Sequence, residues 1–328
     1  MGGEVSPLGH VVLAGASGFI GEHLETYYRG LGARVSRIGR SGPDARWGDR
    51  AGIAALLEGA DLLINMAGKS VNCRYHEANR AEILRSRVET TRELREIMAG
   101  LVNPPPVWMN ASTATIYRDA RDRPMTESAG EIGRGFSVSI ATAWEDEFFA
   151  GELPGVRRVA LRMAIVLGDR GALVPLTRLA RFGLGGPQID GHWPATRTRR
   201  ETGVHHGFGG GGGGQKMSWI HIDDVVSAIE FIRARPSLAG AINLSAPGAV
   251  TNAEFMRELR ASVGVPIGLP AFRWMLEPAM AVLRTEPEMV LKSRWVYPEA
   301  LENAGFAFGY PTLPSALRQI ATYRVMSA

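Results

Sequence analysis

The segment HVVLAGASGFIG, residues 10–21, decides how the rest of the chain is interpreted. Its apolar start predicts a buried strand, and the glycine pattern that follows predicts a tight turn into a helix. Gly15 allows the turn, Gly18 allows a phosphate to approach the backbone, and Gly21 allows the helix to pack closely on the sheet. A pyrophosphate would bind the exposed N–H groups of the helix N-terminus. The segment therefore predicts a dinucleotide site; the alternative is an ordinary glycine-rich turn.

Strand-like and helix-like segments alternate through the first half of the chain. Apolar strands that alternate with helices predict a parallel sheet covered on both faces. The predicted fold class is therefore α/β, a doubly wound parallel sheet of the Rossmann type with a second, smaller mixed α/β lobe. We assign residues 1–171 and 218–244 to the nucleotide-binding domain, and residues 172–217 and 245–328 to the smaller lobe.

The composition argues against several classes of protein. The net charge of the 328 residues is +4, but only RTRR, residues 197–200, is a dense basic cluster, so no nucleic-acid surface is expected. No apolar run is long enough to span a membrane. The single cysteine, Cys73, is typical of a reducing compartment, and we expect a cytoplasmic protein. No metal site is expected, because the adjacent His205 and His206 supply too few ligands.

The end of the second predicted strand, IGRSG at residues 38–42, bears on the choice of cofactor. Proteins that prefer NAD usually place a carboxylate there to bind the ribose hydroxyls. This chain places Arg40 there, followed by Ser41. A guanidinium can bind a 2′-phosphate through charge-assisted hydrogen bonds of about 1.5–3 kcal/mol. We therefore predict that NADP binds about tenfold or more tightly than NAD; the alternative is a solvated surface arginine.

Two further segments follow predicted strands and extend the same edge of the sheet. NMAG, residues 65–68, ends in a glycine that would let the chain pass the cofactor ribose. NASTATIY, residues 110–117, carries the hydroxyl groups of Ser112 and Thr113. Open α/β sheets bind their ligands at the carboxyl ends of their strands, so both segments belong to the predicted cofactor site.

These motifs together resemble the extended, epimerase-like branch of the short-chain dehydrogenase/reductases. GASGFIG, NMAG, ASTATIY and SWIHIDD occur in that branch's order and spacing. One subgroup, epimerase-family proteins with a characteristic C-terminal extension, is marked by RSRVETT at 85–91, GLGGP at 183–187 and the tail from 294 to 317. The resemblance covers essentially the whole chain and implies an NADP-binding protein. The cofactor contacts it implies are Gly15, Ser17, Gly18, Phe19, Ile20, Gly21, Arg40, Ser41, Ala67, Gly68, Ser112 and Ile165.

The chain departs from the wider branch in GFSVSIATAWEDEF, residues 135–148. That branch keeps a Tyr eight residues, and a Lys four residues, before the position of Glu145, where this chain has Ser137 and Ala141. No nearby Tyr or Lys could restore the pair by a shift of register. The usual proton relay is therefore absent from this predicted helix.

Hydroxyl groups remain as candidate catalytic residues. The resemblance places Ser112 or Thr113 at the catalytic hydroxyl position, and Ser137 stands where the tyrosine would be. Tyr75, in the loop after Gly68, is a candidate proton donor, although a solvated loop is the alternative for that segment. Because an unassisted serine is a weak acid, we expect firm NADPH binding with slow or no reduction of simple ketones and aldehydes.

The predicted function is that of an NADP-dependent oxidoreductase or epimerase-like enzyme. Its substrate would be a small metabolite, anionic or polyoxygenated, with neither nucleic acid nor membrane as a partner. A redox-neutral lyase or cyclase with a structural cofactor, and an NADP-binding sensor or scaffold without turnover, remain alternatives. The sequence leaves open whether the protein is a homodimer.

An insertion at about residues 190–215 contains six consecutive glycines, 209–214. Glycine loses the most backbone entropy on ordering, so this segment is predicted to be a mobile lid at the cleft rather than part of the fold. Replacing residues 195–213 by a short linker should then leave stability and NADP affinity unchanged. The RTRR cluster within it either binds an anionic substrate or is solvated.

Overall fold

The computed structural model describes residues 9–42, 44–205, 207–208 and 211–326. The strands are β1 (His10–Ala14), β2 (Arg34–Gly39), β3 (Ala45–Arg46), β4 (Leu62–Asn65), β5 (Val107–Thr113), β6 (Arg157–Met163), β7 (Ile165–Leu167), β8 (Gln188–Ile189), β9 (Lys216–Met217), β10 (Trp219–His221), β11 (Gly240–Leu244), β12 (Val250–Thr251) and β13 (Ala271–Phe272). The helices are α1 (Phe19–Gly30), α2 (Arg50–Leu57), α3 (Glu77–Met98), α4 (Phe136–Phe149), α5 (Leu173–Arg181), α6 (Arg197–Glu201), α7 (Ile222–Arg233), α8 (Asn252–Ser262), α9 (Arg273–Val282), α10 (Glu288–Leu291), α11 (Glu299–Asn303) and α12 (Leu313–Met326).

Seven strands form one parallel sheet in the order β11-β6-β5-β4-β1-β2-β3. The chain builds outward from β1 to β3 and then returns to β4 on the other side of β1. This reversal opens a crevice beyond the carboxyl ends of β1 and β4, which is where sheets of this type bind ligands. The predicted doubly wound parallel sheet is confirmed.

Helices cover both faces of this sheet, as the apolar strands require. On one face, α1 buries Leu24 and Tyr28 together with Ile229 of α7. On the other face, Trp108 of β5 packs against Phe148 of α4, with ring centroids 4.8 Å apart. Each helix turns one apolar stripe inward, so burial of these stripes stabilises the layered architecture.

A separate buried cluster joins the middle of the chain to its C-terminal part. Trp219 of β10 and Phe255 of α8 pack there with Leu317 of α12. Short strand pairs, parallel between β7 and β10 and antiparallel between β9 and β12, give this region a mixed α/β character. The tail also enters the core of the main sheet through Leu301. The bounds that we assigned to the two lobes stay a prediction.

The segment VRRVALRMAIVLG, residues 156–168, forms the two strands β6 and β7. β6 pairs with β5 and β11, whereas β7 pairs with β10. The change of neighbour occurs at Ala164, whose N–H donates to the carbonyl of Leu244. None of the described helices is long and apolar enough to cross a membrane.

Candidate active site

The turn between β1 and α1 has the geometry that its glycines predict. Gly15 has φ of +78°, and a Cβ atom added there would lie 2.6 Å from the backbone nitrogen of Ala67. A Cβ on Gly21 would lie 2.7 Å from the Cα of Ala16. At Gly18, the N-cap of α1, the nearest atom to such a Cβ is the Gly15 oxygen at 3.7 Å. Gly15 and Gly21 are therefore required by the fold, while Gly18 leaves open space at the helix N-terminus, as a bound phosphate needs.

This difference predicts that two alanine variants will separate folding from ligand binding. Gly18→Ala should leave stability nearly unchanged, because its φ of −86° suits alanine and the added methyl group meets open space. It should weaken NADPH binding about 5- to 150-fold, the equivalent of an overpacking cost of about 1–3 kcal/mol. Gly21→Ala should instead lower the free energy of unfolding by about 1–3 kcal/mol. Urea unfolding and calorimetric titration measure the two effects, and a Gly18→Ala protein that unfolds as easily as Gly21→Ala would contradict the assignment.

A cavity of about 420 Å³ begins at this turn and continues along the sheet edge. Most of the residues that we predicted from sequence line it. They are Gly15, Gly18, Phe19, Ile20, Gly21, Ala67, Gly68, Tyr75, Ser112, Thr113, Ser137 and Ile165. Ser17, Arg40 and Ser41 are exposed and lie outside this lining. The fold therefore brings the predicted catalytic residues together with the glycine turn in one cavity.

Arg40 lies on the exposed turn that follows β2. Its neighbour Arg37 forms an ion pair of 3.2 Å with Glu25, and its backbone N–H donates to Asp44. Arg40 has no ion pair among the residues that the structure describes. Of the two arginines, Arg40 is therefore the one whose charge is available to a ligand.

Ser112 is fixed by a buried network on the sheet. Its hydroxyl donates to the carboxylate of Glu145 at 2.5 Å. Arg162 donates two hydrogen bonds to the same carboxylate, at 2.9 and 2.6 Å, and a third to the hydroxyl of Tyr117. Because the Ser112 proton is committed to Glu145, this serine can accept a hydrogen bond from a ligand but is poorly placed to donate a proton.

Thr113 has a different position at the end of β5. Its Oγ1 accepts a hydrogen bond from the backbone N–H of Thr115 at 3.1 Å and caps the short 3-10 helix Ala114–Ile116. The Thr113 hydroxyl hydrogen is not used in that bond. Thr113 therefore shapes the loop and keeps a donor for a ligand.

Ser137 contacts a residue that the sequence analysis did not identify. Its hydroxyl donates to the carboxylate of Glu288 at 2.7 Å. Tyr75 lies against this pair, and burial and then the charge on Glu288 raise the pKa of its hydroxyl, although a hydrogen bond with Ser137 opposes the shift. At neutral pH the Tyr75 hydroxyl is therefore a neutral group and a weak acid. Glu288, at the start of α10, is the carboxylate that lines the cavity here.

Two buried cations hold the tail against the loop after β5. The Nζ of Lys292 donates to the carbonyl of Thr115 at 2.8 Å, and burial lowers its pKa to about 8. Arg294 donates to the side chain of Thr115 and to the carbonyls of Met289 and Glu288. The sequence analysis did not identify these two cations. The signal that was available was the run of charged residues Glu286, Glu288, Lys292 and Arg294 among apolar neighbours.

The prediction that the insertion is not part of the fold is wrong for the part that is described. Val204 is only 5% exposed and packs in a buried cluster with Tyr75 and Ile140. The backbone N–H of Phe136 donates to the carbonyl of Gly203 at 3.0 Å. The insertion therefore packs against the wall of the cavity, and its replacement should be destabilising.

The RTRR cluster is held in position by a contact with the C-terminal tail. Arg199 forms an ion pair of 2.9 Å with Glu286, which is almost completely buried and also accepts the backbone N–H of Tyr75. Arg197 pairs with Glu201 within α6. Glu286 lies far from Arg199 in the sequence, and the pair of Arg197 with Glu201 lies within α6. The composition of the segment alone therefore does not reveal either contact. The predictions for His206, Gly209 and Gly210 fall outside the described residues.

His205 and His221 have partners that the structure identifies. His205 contacts the guanidinium of Arg273 at 3.3 Å. His221 is fully buried, binds Gln319 at 2.8 Å and caps α7. Within the described ranges, no group of three or more His, Cys, Asp or Glu residues could hold a metal ion.

The parallel sheet and the glycine turn at its edge together define a nucleotide-binding Rossmann protein. The family model described as "NAD dependent epimerase/dehydratase family" matches residues 11–139, and the one for a domain of unknown function, DUF1731, matches residues 272–320. These two matches, to the sheet domain and to the C-terminal segment, confirm the predicted resemblance to extended, epimerase-like short-chain dehydrogenase/reductases with a C-terminal extension.

Relatives match along nearly the whole length of the chain. The epimerase family protein YfhF of Bacillus subtilis is 27% identical over 96% of this chain and 99% of its own length. The epimerase family protein SDR39U1 of Bos taurus is 29% identical over 94% and 99%. The crystal structure of human SDR39U1 (isoform 2), solved with NADPH, has a TM-score of 0.81 at 26% identity, covering 95% of this chain and 99% of that chain.

Proposed function

We propose that this protein binds NADP and uses it to transfer hydride to or from a small anionic or polyoxygenated metabolite, as an oxidoreductase or an epimerase-like enzyme. The observation that carries the proposal is the continuity of one cavity from Gly18 at the glycine turn to the Ser137–Glu288 pair. The human relative solved with NADPH supports the choice of cofactor. The cofactor, when bound, accepts or supplies the hydride.

The residues of the sheet edge would hold the cofactor. The open space at Gly18 and the N-terminus of α1 suit the pyrophosphate, and Arg40 with Ser41 would bind the 2′-phosphate. Ala67, Gly68, Ser112 and Ile165 would line the ribose and nicotinamide, with Ser17, Phe19 and Ile20 around the phosphates. The arrangement fits a dinucleotide because its glycines leave room where side chains would otherwise lie.

Glu288 and Ser137 would move the proton. In the oxidation direction, a bound cofactor would take the hydride, while Ser137 would accept the substrate hydroxyl proton as it passes its own proton to the Glu288 carboxylate. A C=O group forms, and Glu288 becomes a carboxylic acid. In reduction the same steps run in reverse, and an epimerase would perform both on one bound substrate. Ser112 and Thr113 would orient the substrate oxygen, beside the neutral hydroxyl of Tyr75.

Turnover tests the proposal directly. Purified protein with NADPH or NADP⁺ should change the NADPH absorbance when mixed with pools of carboxylated or phosphorylated sugars and polyols, and only weakly with simple ketones. Tight NADPH binding with no turnover in any pool would contradict the enzyme and favour a sensor or scaffold. Substrate conversion without net change in NADPH would favour the epimerase or the redox-neutral alternative.

The preference for NADP should depend on Arg40. We expect wild-type protein to bind NADPH about tenfold or more tightly than NADH. Arg40→Asp should reverse or abolish this preference, because it replaces the cation with the carboxylate that suits a ribose hydroxyl. Arg37→Gln is the matched control, since Glu25 already neutralises that charge. Calorimetric titration measures each affinity, and equal wild-type affinities for NADPH and NADH would refute the assignment.

A further inference from the structure

Arg87, on α3, lines the same cavity. Its Nη1 donates to the carbonyls of Lys69 and Ile83 at 3.0 and 3.1 Å. Its guanidinium lies 5.1 Å from the centre of the Trp144 ring. These contacts fix the position and the plane of the charged group.

Within the described parts of the chain, the guanidinium of Arg87 has no carboxylate within ion-pair distance. Its Nε and Nη2 have no hydrogen-bond partner among those residues either. Two other deeply placed arginines differ in this respect, since Arg162 pairs with Glu145 and Arg273 with Asp190. Burial lowers the pKa of Arg87 to about 10, so the group is still charged at neutral pH. Arg87 is partly buried and lines the cavity, so an anionic ligand there can supply the missing acceptor through charge-assisted hydrogen bonds.

The position of Arg87 in the cavity indicates which part of a bound ligand it would contact. A Cβ added at Gly68 would lie 3.1 Å from its Cζ, so the guanidinium packs on the chain at the end of NMAG. Residues 66–67 of that segment in turn contact the glycine turn at Gly15. In the proposed orientation of the cofactor, with the adenosine-side phosphate at Gly18 and the nicotinamide near Ile165, the phosphate on the nicotinamide ribose would pass this point.

The other cations of the cavity are already committed. Apart from Arg87, the cation in the lining is Arg294, and the three nitrogens of its guanidinium all donate to Thr115, Met289 or Glu288; Lys292, outside the lining, donates to Thr115. Arg87 therefore has the free donors. We infer that Arg87 binds the ribose 5′-phosphate on the nicotinamide side of the dinucleotide, an inference that rests on the proposed NADP binding.

Three ligands that differ in their phosphate groups test the inference. NADPH and 2′-phospho-ADP-ribose both contain the second ribose phosphate, whereas 2′,5′-ADP lacks it. Arg87→Leu should weaken the first two about 10- to 150-fold, as expected for the loss of one charge-assisted hydrogen bond. Binding of 2′,5′-ADP should change less than about twofold. Arg87→Lys, which keeps the charge but not the fork of donors, should fall between wild type and Arg87→Leu.

The matched control is Arg85→Leu, which removes the same charge from the exposed side of the same helix and should change none of the three affinities. Thermal unfolding checks that the variants fold, and Arg87→Lys keeps the test valid should Arg87→Leu fail to fold. Unchanged NADPH affinity in Arg87→Leu would overturn the inference alone, as would equal losses for all three ligands. Wild-type protein that binds none of them would overturn the proposed function as well.

Discussion

Glu288→Gln should lower kcat about 10²- to 10⁴-fold on any substrate that the turnover assay identifies, while the affinity for NADPH stays within about twofold of wild type. Glutamine has nearly the same shape and can still accept the hydrogen bond from Ser137, so the fold and the cavity are retained. What it cannot do is take up or release the proton. Ser137→Ala should cost less than Glu288→Gln, because a water molecule can bridge the substrate oxygen and the carboxylate.

The pH profile separates a proton-transferring role from a structural one. The pH profile of kcat should differ between the wild type and Glu288→Gln, because the glutamine side chain cannot exchange a proton with Ser137. Glu302→Gln is the matched control, since Glu302 is an exposed carboxylate of the same C-terminal segment. A Glu288→Gln enzyme with the rate and pH profile of Glu302→Gln would show that another group moves the proton.

The cofactor edge of this site could be predicted because its signals are local. Gly15, Gly18 and Gly21 lie within one turn, and each has a geometric reason that the spacing already expresses. The absence of Tyr and Lys from α4 could be read in the same way. Glu288 could not, because it lies 151 residues from Ser137 and reaches it only when the tail folds over the cavity.

The prediction for the insertion failed for the same physical reason. The insertion is rich in glycine, which argues for mobility, yet Val204 and Arg199 find partners in Tyr75 and Glu286. The glycine content of the insertion predicts a high backbone conformational entropy. Long-range contacts decide whether that entropy is lost on folding.

The second large effect is on stability and concerns the ion pair beneath Ser112. Arg162→Met should lower the free energy of unfolding by about 3–5 kcal/mol, because it leaves the Glu145 carboxylate buried without its cation. The exposed fractions of the two side chains are only 13% and 10%, so water cannot replace the lost partner. The double variant Arg162→Met/Glu145→Gln should recover part of the loss, since the amide oxygen can still accept from Ser112 and no unpaired charge remains.

Urea unfolding of the wild type, both single variants and the double variant completes a cycle around this pair. We expect Arg162→Met to be the least stable of the four proteins. The loss of stability comes from the unpaired charge of Glu145 rather than from the lost packing of Arg162. A double variant at least as unstable as Arg162→Met would show that packing of the Arg162 side chain, including its contact with the Tyr117 ring at 5.1 Å, dominates instead. The same pair bears on the site, because the Glu145 carboxylate accepts the Ser112 hydroxyl hydrogen, and the proposed mechanism therefore assigns proton transfer to Ser137 and Glu288 rather than to Ser112.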